Sequence, residues 1–230
     1  MRRYLIVDDN VAFAENLAEI IADAGGAEAV VVDSGEKALA RVQRERFDAL
    51  VSDMRMPEMN GAELVHLIRR ADPELPALVV TAYTADNELE AARREGLMAV
   101  LPKPVPVPRL LEHLGRARRN GIVALVEDDV ALADNLTEAL RGRGFAAVTA
   151  HSVVETERLG VRPFAAVVDL RLPGGVDGEA MRRLAAKFPG LPMVVATAHG
   201  GQALPVASAA VFEKPFDTSA LLAAIERLHG

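Results

Sequence analysis

The sequence predicts an α/β protein built from two copies of one layered domain, each a five-stranded parallel sheet between helices. Three observations lead there. Short, almost wholly apolar runs alternate with stretches of helical periodicity. That pattern recurs once along the chain, and the same polar residues stand at the ends of the apolar runs in both copies. A length of 230 residues, half of them hydrophobic, suits two domains of ordinary size, each with a filled core.

The repeat is direct. LIVDDNVAFAENL (5–17) lines up with ALVEDDVALADNL (124–136) at an offset of 119 residues. VSDMRMPEMNG (51–61) lines up with VVDLRLPGGVDG (167–178), and VVTA (79–82) with VATA (195–198), both at 116. LPKP (101–104) lines up with FEKP (212–215) at 111. Four matches in one order indicate a duplicated domain rather than a short-period solenoid. The expected boundaries are residues 1–119 and 120–230.

In the first copy the strands are expected at YLIV (4–7), the valine-rich stretch around 28–32, ALVS (49–52), ALVVT (77–81) and MAVL (98–101). Runs apolar at nearly every position suit parallel strands buried on both faces. Between them a helical period shows in Phe13, Leu17, Ile20 and Ile21, in Leu64, Leu67 and Ile68, and in Leu110, Leu111 and Leu114. Leu132, Leu136 and Leu140 repeat the first stripe. Leu221, Leu222, Ile225 and Leu228 make the last helix, and no DNA-binding, cyclase or kinase output domain is expected. Parallel strands joined through helices take right-handed crossovers. Helix RLLEHLGRARR (109–119) is expected to stop at Asn120-Gly121, its RARR (116–119) a solvated terminus favoured by the helix dipole. The next strand follows at once, so the domains are expected to hold a restricted mutual orientation.

Composition excludes several function classes. Net charge is −7, with 16 Lys+Arg against 20 Asp+Glu in residues 1–119 and 10 against 13 after them. Neither half is the basic module that nucleic-acid backbones attract, so no direct nucleic-acid partner is expected. No apolar run reaches the length of a membrane helix, and MRRYLIVDD meets acids before a signal sequence can develop. The chain has no cysteine, so disulfides and thiolate metal sites are excluded. The expected setting is cytoplasmic, away from membranes.

The repeated polar residues fall at strand carboxyl ends, where ligands of such sheets bind. In the first copy these are Asp8, Asp9, Asp53, Thr81 and Lys103, and in the second Glu127, Asp128, Asp169, Thr197 and Lys214. Like charges about 4 Å apart cost roughly 4 kcal/mol at an effective dielectric near 20. A hard divalent cation on oxygen ligands relieves that cost. An aspartate nucleophile with a cation, an amine and a hydroxyl suits phosphoryl transfer to a carboxylate.

With these residues in place, both halves resemble the receiver domain of two-component response regulators, over essentially the whole length. The resemblance implies two flavodoxin-like domains with strand order 2-1-3-4-5. It implies phosphorylation of Asp53 and Asp169, dependent on Mg²⁺ or Mn²⁺. Asp9 and Asp128 would bind the metal directly, Asp8 and Glu127 through water, and the carbonyls of Arg55 and Arg171 would complete the ligands beside the acceptors. Thr81 and Thr197 would donate to phosphoryl oxygens, and Lys103 and Lys214 would pair with them. Ala82 and Ala198 leave access, and Pro104 and Pro215 follow the lysines, often through a cis bond. The implied partners are a sensor histidine kinase or a histidine phosphotransfer protein and a downstream protein target, with homodimerisation open. The implied activity is Mg²⁺-dependent self-phosphorylation from phosphodonors and autodephosphorylation, not conventional enzyme turnover. The alternative is a non-catalytic scaffold in which one or both domains do not cycle phosphate. A haloacid-dehalogenase-like phosphatase would need a second Asp two residues after the acceptor, where this chain has Arg55 and Arg171.

Two departures from the family pattern stand out. Val100 and Val211 occupy the position three residues before the lysine where many receivers carry a switch aromatic, with Phe212 as a neighbour that could compensate. The segment from Thr197 to Lys214 is five residues shorter than that from Thr81 to Lys103, and its HGGQALPVASAAV is poor helix material. A shortened fourth-helix region is therefore expected in the second domain. His66 and His199 are expected at the surface or site rim, and His113, His151 and His229 have no metal-ligand spacing.

Overall fold

Residues 1–82, 87–198 and 203–230 are described by the computed structural model, and they fall into two units, Met1–Asn120 and Gly121–Gly230. In the first, the apolar runs become strands β1 (Arg3–Val7), β2 (Glu28–Val32), β3 (Ala49–Asp53), β4 (Ala77–Thr81) and β5 (Ala99–Pro102). All pair in parallel, in the order β2-β1-β3-β4-β5. The crossovers are α1 (Val11–Gly25), α2 (Gly35–Val42), α3 (Gly61–Ala71), α4 (Asn87–Arg94) and α5 (Val107–Arg116). Leu5, Leu50, Val79, Leu64, Ile68 and Leu89 meet in one core cluster, each such side chain contributing about 2 kcal/mol by leaving water.

Short polar side chains start the helices by satisfying N–H groups that have no partner within the helix. Asn10 accepts from Phe13 at 3.1 Å, and Asn60 accepts from Glu63 at 2.9 Å. Gly61 has a further reason to be glycine. A Cβ there would lie 2.5 Å from the backbone oxygen of Asp53, so the start of α3 can rest against the end of β3 only without a side chain.

Arg69 on α3 is buried, 7% exposed. Its guanidinium donates to backbone carbonyls, those of Glu95 (2.8 Å), Gly96 (2.9 Å), Pro73 (3.3 Å) and Leu75. Burial pushes its pKa down to about 10, which still leaves it charged at neutral pH. One side chain thus ties α3 to the turn after α4 and to the approach to β4.

The second unit repeats the plan with β6 (Ile122–Val126), α6 (Val130–Gly142), β7 (Ala146–Ala150), α7 (Val153–Glu157), β8 (Ala165–Val168), α8 (Glu179–Lys187), β9 (Met193–Thr197), β10 (Ala210–Glu213) and α9 (Thr218–His229). Its strand order, β10-β9-β8-β6-β7, is the same topology read from the other edge. Among the described residues no helix joins β9 to β10, in keeping with the shortened segment, and residues 203–209 carry no regular structure. Pro205 packs instead on Gly178, where a Cβ would stand 2.7 Å from its ring. The position matching Arg69, fixed by the alignment of Pro73 with Pro189, is Ala185.

One expectation needs correction. Helix α5 ends at Arg116, not at Asn120, and Arg119 is not a solvated terminus. It forks onto Asp72 at 2.7 and 2.8 Å and donates to the carbonyl of Phe47, so a strong ion pair rather than the helix dipole decides its place. Phe212, the neighbour of the position where many receivers carry a switch aromatic, faces the core. It packs into the cluster of Leu221, Leu222 and Ile225 and lies edge to face with Phe216. Val211 is half exposed, and alternation along a strand puts it on the other face. Among the described residues no helix is long and apolar enough to cross a membrane.

Replacing Arg69 with Met keeps the length of the side chain but leaves four carbonyls without their donor. The substitution should lower the stability of residues 1–120 by about 3 kcal/mol and leave the second unit's unfolding unchanged. Urea denaturation followed by amide NMR of both units checks this, and an unshifted first transition would contradict it.

Candidate functional site

Each site is built by the sheet's own geometry. Parallel strands end on one edge, so residues far apart in sequence meet there. Val7 pairs with Ser52 and Asp53 pairs with Val80, which puts Asp8, Asp53 and Thr81 one step apart along the rim. Lys103 follows β5, its N–H bonded to the Thr81 carbonyl at 2.9 Å. In the second unit Val126 pairs with Val168 and Glu213 with Thr197, and the Lys214 N–H meets the Thr197 carbonyl at 2.8 Å. Lys103-Pro104 and Lys214-Pro215 are both cis.

The acids converge as the repeat led us to expect. One carboxylate oxygen from each of Asp8, Asp9 and Asp53 lies within 4.8 Å of the others, and the same holds for Glu127, Asp128 and Asp169. Asp8 and Asp53 are 2% and 8% exposed, Glu127 and Asp169 4% and 7%. Thr81 and Thr197 are buried at the same rim. Arg55 and Arg171 follow two residues after the acceptors, and the Arg171 N–H donates to Asp169 at 3.0 Å.

The lysines bridge the acids. Lys103 Nζ lies 2.9 Å from Asp8 and 3.2 Å from Asp53. Lys214 Nζ lies 2.7 Å from Glu127 and 2.6 Å from Asp169. Burial pushes the Asp53 carboxyl above its ordinary range, with Lys103 opposing it. Burial does the same to Glu127, against Lys214. Burial also acts to lower the Lys103 amine, but its bond to Asp8 and the charge of Asp53 outweigh it and hold the amine above the usual lysine range. Three acids and one amine leave each rim with a net negative charge. All the side-chain donors are oxygens, and this set fits a hard divalent cation.

Two neighbours of the site were not read from the sequence. Phe13, counted there as core, lies with its ring 4.9 Å from Lys103 Nζ. His151 sits beside the second rim, its Nδ1 2.8 Å from the Glu127 carbonyl oxygen, so Nδ1 carries the proton. The available signal was its place directly after β7, since β7 pairs with β6 and ends on the same edge. His66 is exposed and 2.9 Å from Glu95. His199 lies outside the described residues.

A doubly wound sheet of order 2-1-3-4-5 with acids, a threonine and a lysine gathered at its carboxyl edge defines the receiver class of signalling proteins. Sequence relatives agree. The family described as response regulator receiver domain matches residues 4–115. A response regulator receiver protein of Anaeromyxobacter sp. (strain Fw109-5) is 64% identical across 100% of this chain and 96% of its own length. The response regulator protein FleR of Pseudomonas aeruginosa is 40% identical over 50% of this chain but only 24% of its own. Among solved structures, the chemotaxis protein CheY4 of Vibrio cholerae is 32% identical, covering 50% of this chain and 98% of that one, with a TM-score of 0.47. The chain belongs to the response regulator receiver family of two-component signalling.

Removing the Lys103 amine by substitution with Ala leaves Asp8 and Asp53 facing each other unbridged. The Asp53 carboxyl, already pushed up by burial, should then rise further above its unfolded value. The resulting loss, about 2 kcal/mol at neutral pH, is full above that raised value and shrinks as pH falls through it. Unfolding of variant and parent between about pH 4 and 8 reads the difference, and a pH-independent gap would count against the bridge.

Proposed function

We propose that the chain is a tandem phosphoacceptor with receiver domains at residues 1–119 and 120–230, taking phosphoryl groups on Asp53 and Asp169. The donors are phosphohistidines of a sensor histidine kinase or a histidine phosphotransfer protein. The observation that carries this reading is the convergence, in both units, of two rim acids, an acceptor aspartate, a threonine and a lysine. In each transfer a carboxylate oxygen of the acceptor bonds to phosphorus as the phosphorus–nitrogen bond breaks. The departing imidazole keeps that bond's electron pair and takes a proton.

The fold supplies positioning. The burial that pushes Asp53 above the usual carboxylate range also dries the acceptor, so that groups aimed at developing charge act strongly. Thr81 and Thr197 donate to the transferred phosphoryl oxygens, while Lys103 and Lys214 leave their acid partners to pair with them. Asp9 and Asp128 would hold Mg²⁺ or Mn²⁺ directly, Asp8 and Glu127 through water, with Asp53, Asp169 and the carbonyls of Arg55 and Arg171 completing the set. A bound cation would supply charge neutralisation for the phosphoryl transfer. Small residues at Ala82 and Ala198, both exposed, leave the acyl phosphate reachable. Added charge at the rim then biases a pre-existing equilibrium. Output passes through contacts with a protein target in the cytoplasm.

Acetyl phosphate with Mg²⁺ should add two phosphoryl groups to the intact mass of the chain. Asp53→Asn and Asp169→Asn should each leave one, and the double variant none. No mass gain at either site would leave the scaffold reading. Separately, Asp9→Asn and Asp128→Asn should weaken Mg²⁺ binding by more than about tenfold, each in its own unit only. Calorimetric titration reads this, and unchanged isotherms would remove the ligand assignment.

A further inference from the structure

The two rims differ in how the lysine is held, and we infer that residues 121–230 form the weaker divalent-cation site while residues 1–120 load first. The inference rests on the phosphoacceptor reading above and adds an order to it. Its basis is one methylene: the first rim acid is Asp8 in one unit and Glu127 in the other.

In the first unit the amine is shared lightly. Asp8 gives one oxygen to Lys103 at 2.9 Å and the other to the Asn10 N–H, also at 2.9 Å. Asp53 gives one oxygen to the amine at 3.2 Å and its other to the Met54 N–H at 2.8 Å. The amine also lies 4.9 Å from the Phe13 ring centroid, a cation–π contact that needs no oxygen of the acids. In the second unit the longer Glu127 reaches Lys214 with both oxygens, at 2.8 and 2.7 Å, and Asp169 adds a third at 2.6 Å. The position of Phe13 is taken by Leu132, which has no ring to offer. Lys214 is also the more enclosed amine, its side chain 20% exposed against 28% for Lys103.

Short N⁺–H···O⁻ bonds are the strong ones. A cation drawing on these oxygens must displace the amine from two of them in the first unit and from three in the second. One additional charge-assisted bond corresponds to about tenfold in affinity. Glu127 therefore acts as a specificity-determining residue for the order in which the units become competent.

Mn²⁺ alone is the probe, with free ion read by electron paramagnetic resonance and Mg²⁺ as competitor, on the full chain. Asp128→Ala reports the first rim and Asp9→Ala the second. The Kd in the Asp9→Ala chain should exceed that in the Asp128→Ala chain by about tenfold. Adding Glu127→Asp to the former should tighten binding, and adding Asp8→Glu to the latter should weaken it. These opposite shifts are not what general misfolding would give. Equal affinities in the two single variants, or no response to both acid exchanges, would overturn the order while leaving the phosphoacceptor reading intact. Absence of binding at both rims would overturn the two together.

Discussion

Three carboxylates held within 4.8 Å of one another repel, and a lysine delivered from the far edge of the sheet makes each cluster tolerable. Much else in the fold serves that balance. Parallel pairing puts every strand's last residue on one rim, which is how Lys103 reaches Asp8 across 95 residues of sequence. Gly61 lets α3 start against the backbone of Asp53, and Asn10 and Asn60 cap the first turns of α1 and α3. The apolar core beneath packs densely under the strands whose ends carry the rim.

The internal repeat made the acids, the threonines and the lysines legible in the sequence. Each is weak evidence alone, and recurrence in the same order raised them together. Strand positions were also legible, because buried parallel strands are apolar at almost every residue. Other features resist such reading because they depend on which face or which distant element a residue meets. Arg119 looks like a helix tail, and only the position of Asp72 reveals it as half of a forked ion pair. Phe212 differs from Val211 by one residue, and one step along a strand exchanges solvent for core. Phe13 satisfied the helical period and so passed for core, although its ring lies beside the lysine amine of the rim.

The two halves show how one topology tolerates different local solutions. Gly61 and Gly178 both donate to the backbone carbonyl of the residue after the acceptor aspartate, Met54 in one case and Leu170 in the other, each at 2.8 Å. The need for glycine differs. Gly61 must clear the backbone of Asp53, whereas Gly178 takes a φ of 73° and lies under the ring of Pro205. A sequence motif can therefore persist while the contact that requires it changes.

Arg69 and the turn after α4 also depend on each other. The turn at Glu95 and Gly96, directly after α4, supplies two of the four carbonyls that make the buried guanidinium acceptable, and Pro73 and Leu75 supply the others. The second unit carries Ala185 in place of the arginine, and its short β9–β10 segment supplies no comparable turn among the described residues. Losing that turn would take two of four acceptors from a buried cation, and losing the arginine would leave the carbonyls without this donor. Grafting residues 87–94 into the shortened segment would therefore import a helix without the buried arginine that anchors the turn after it.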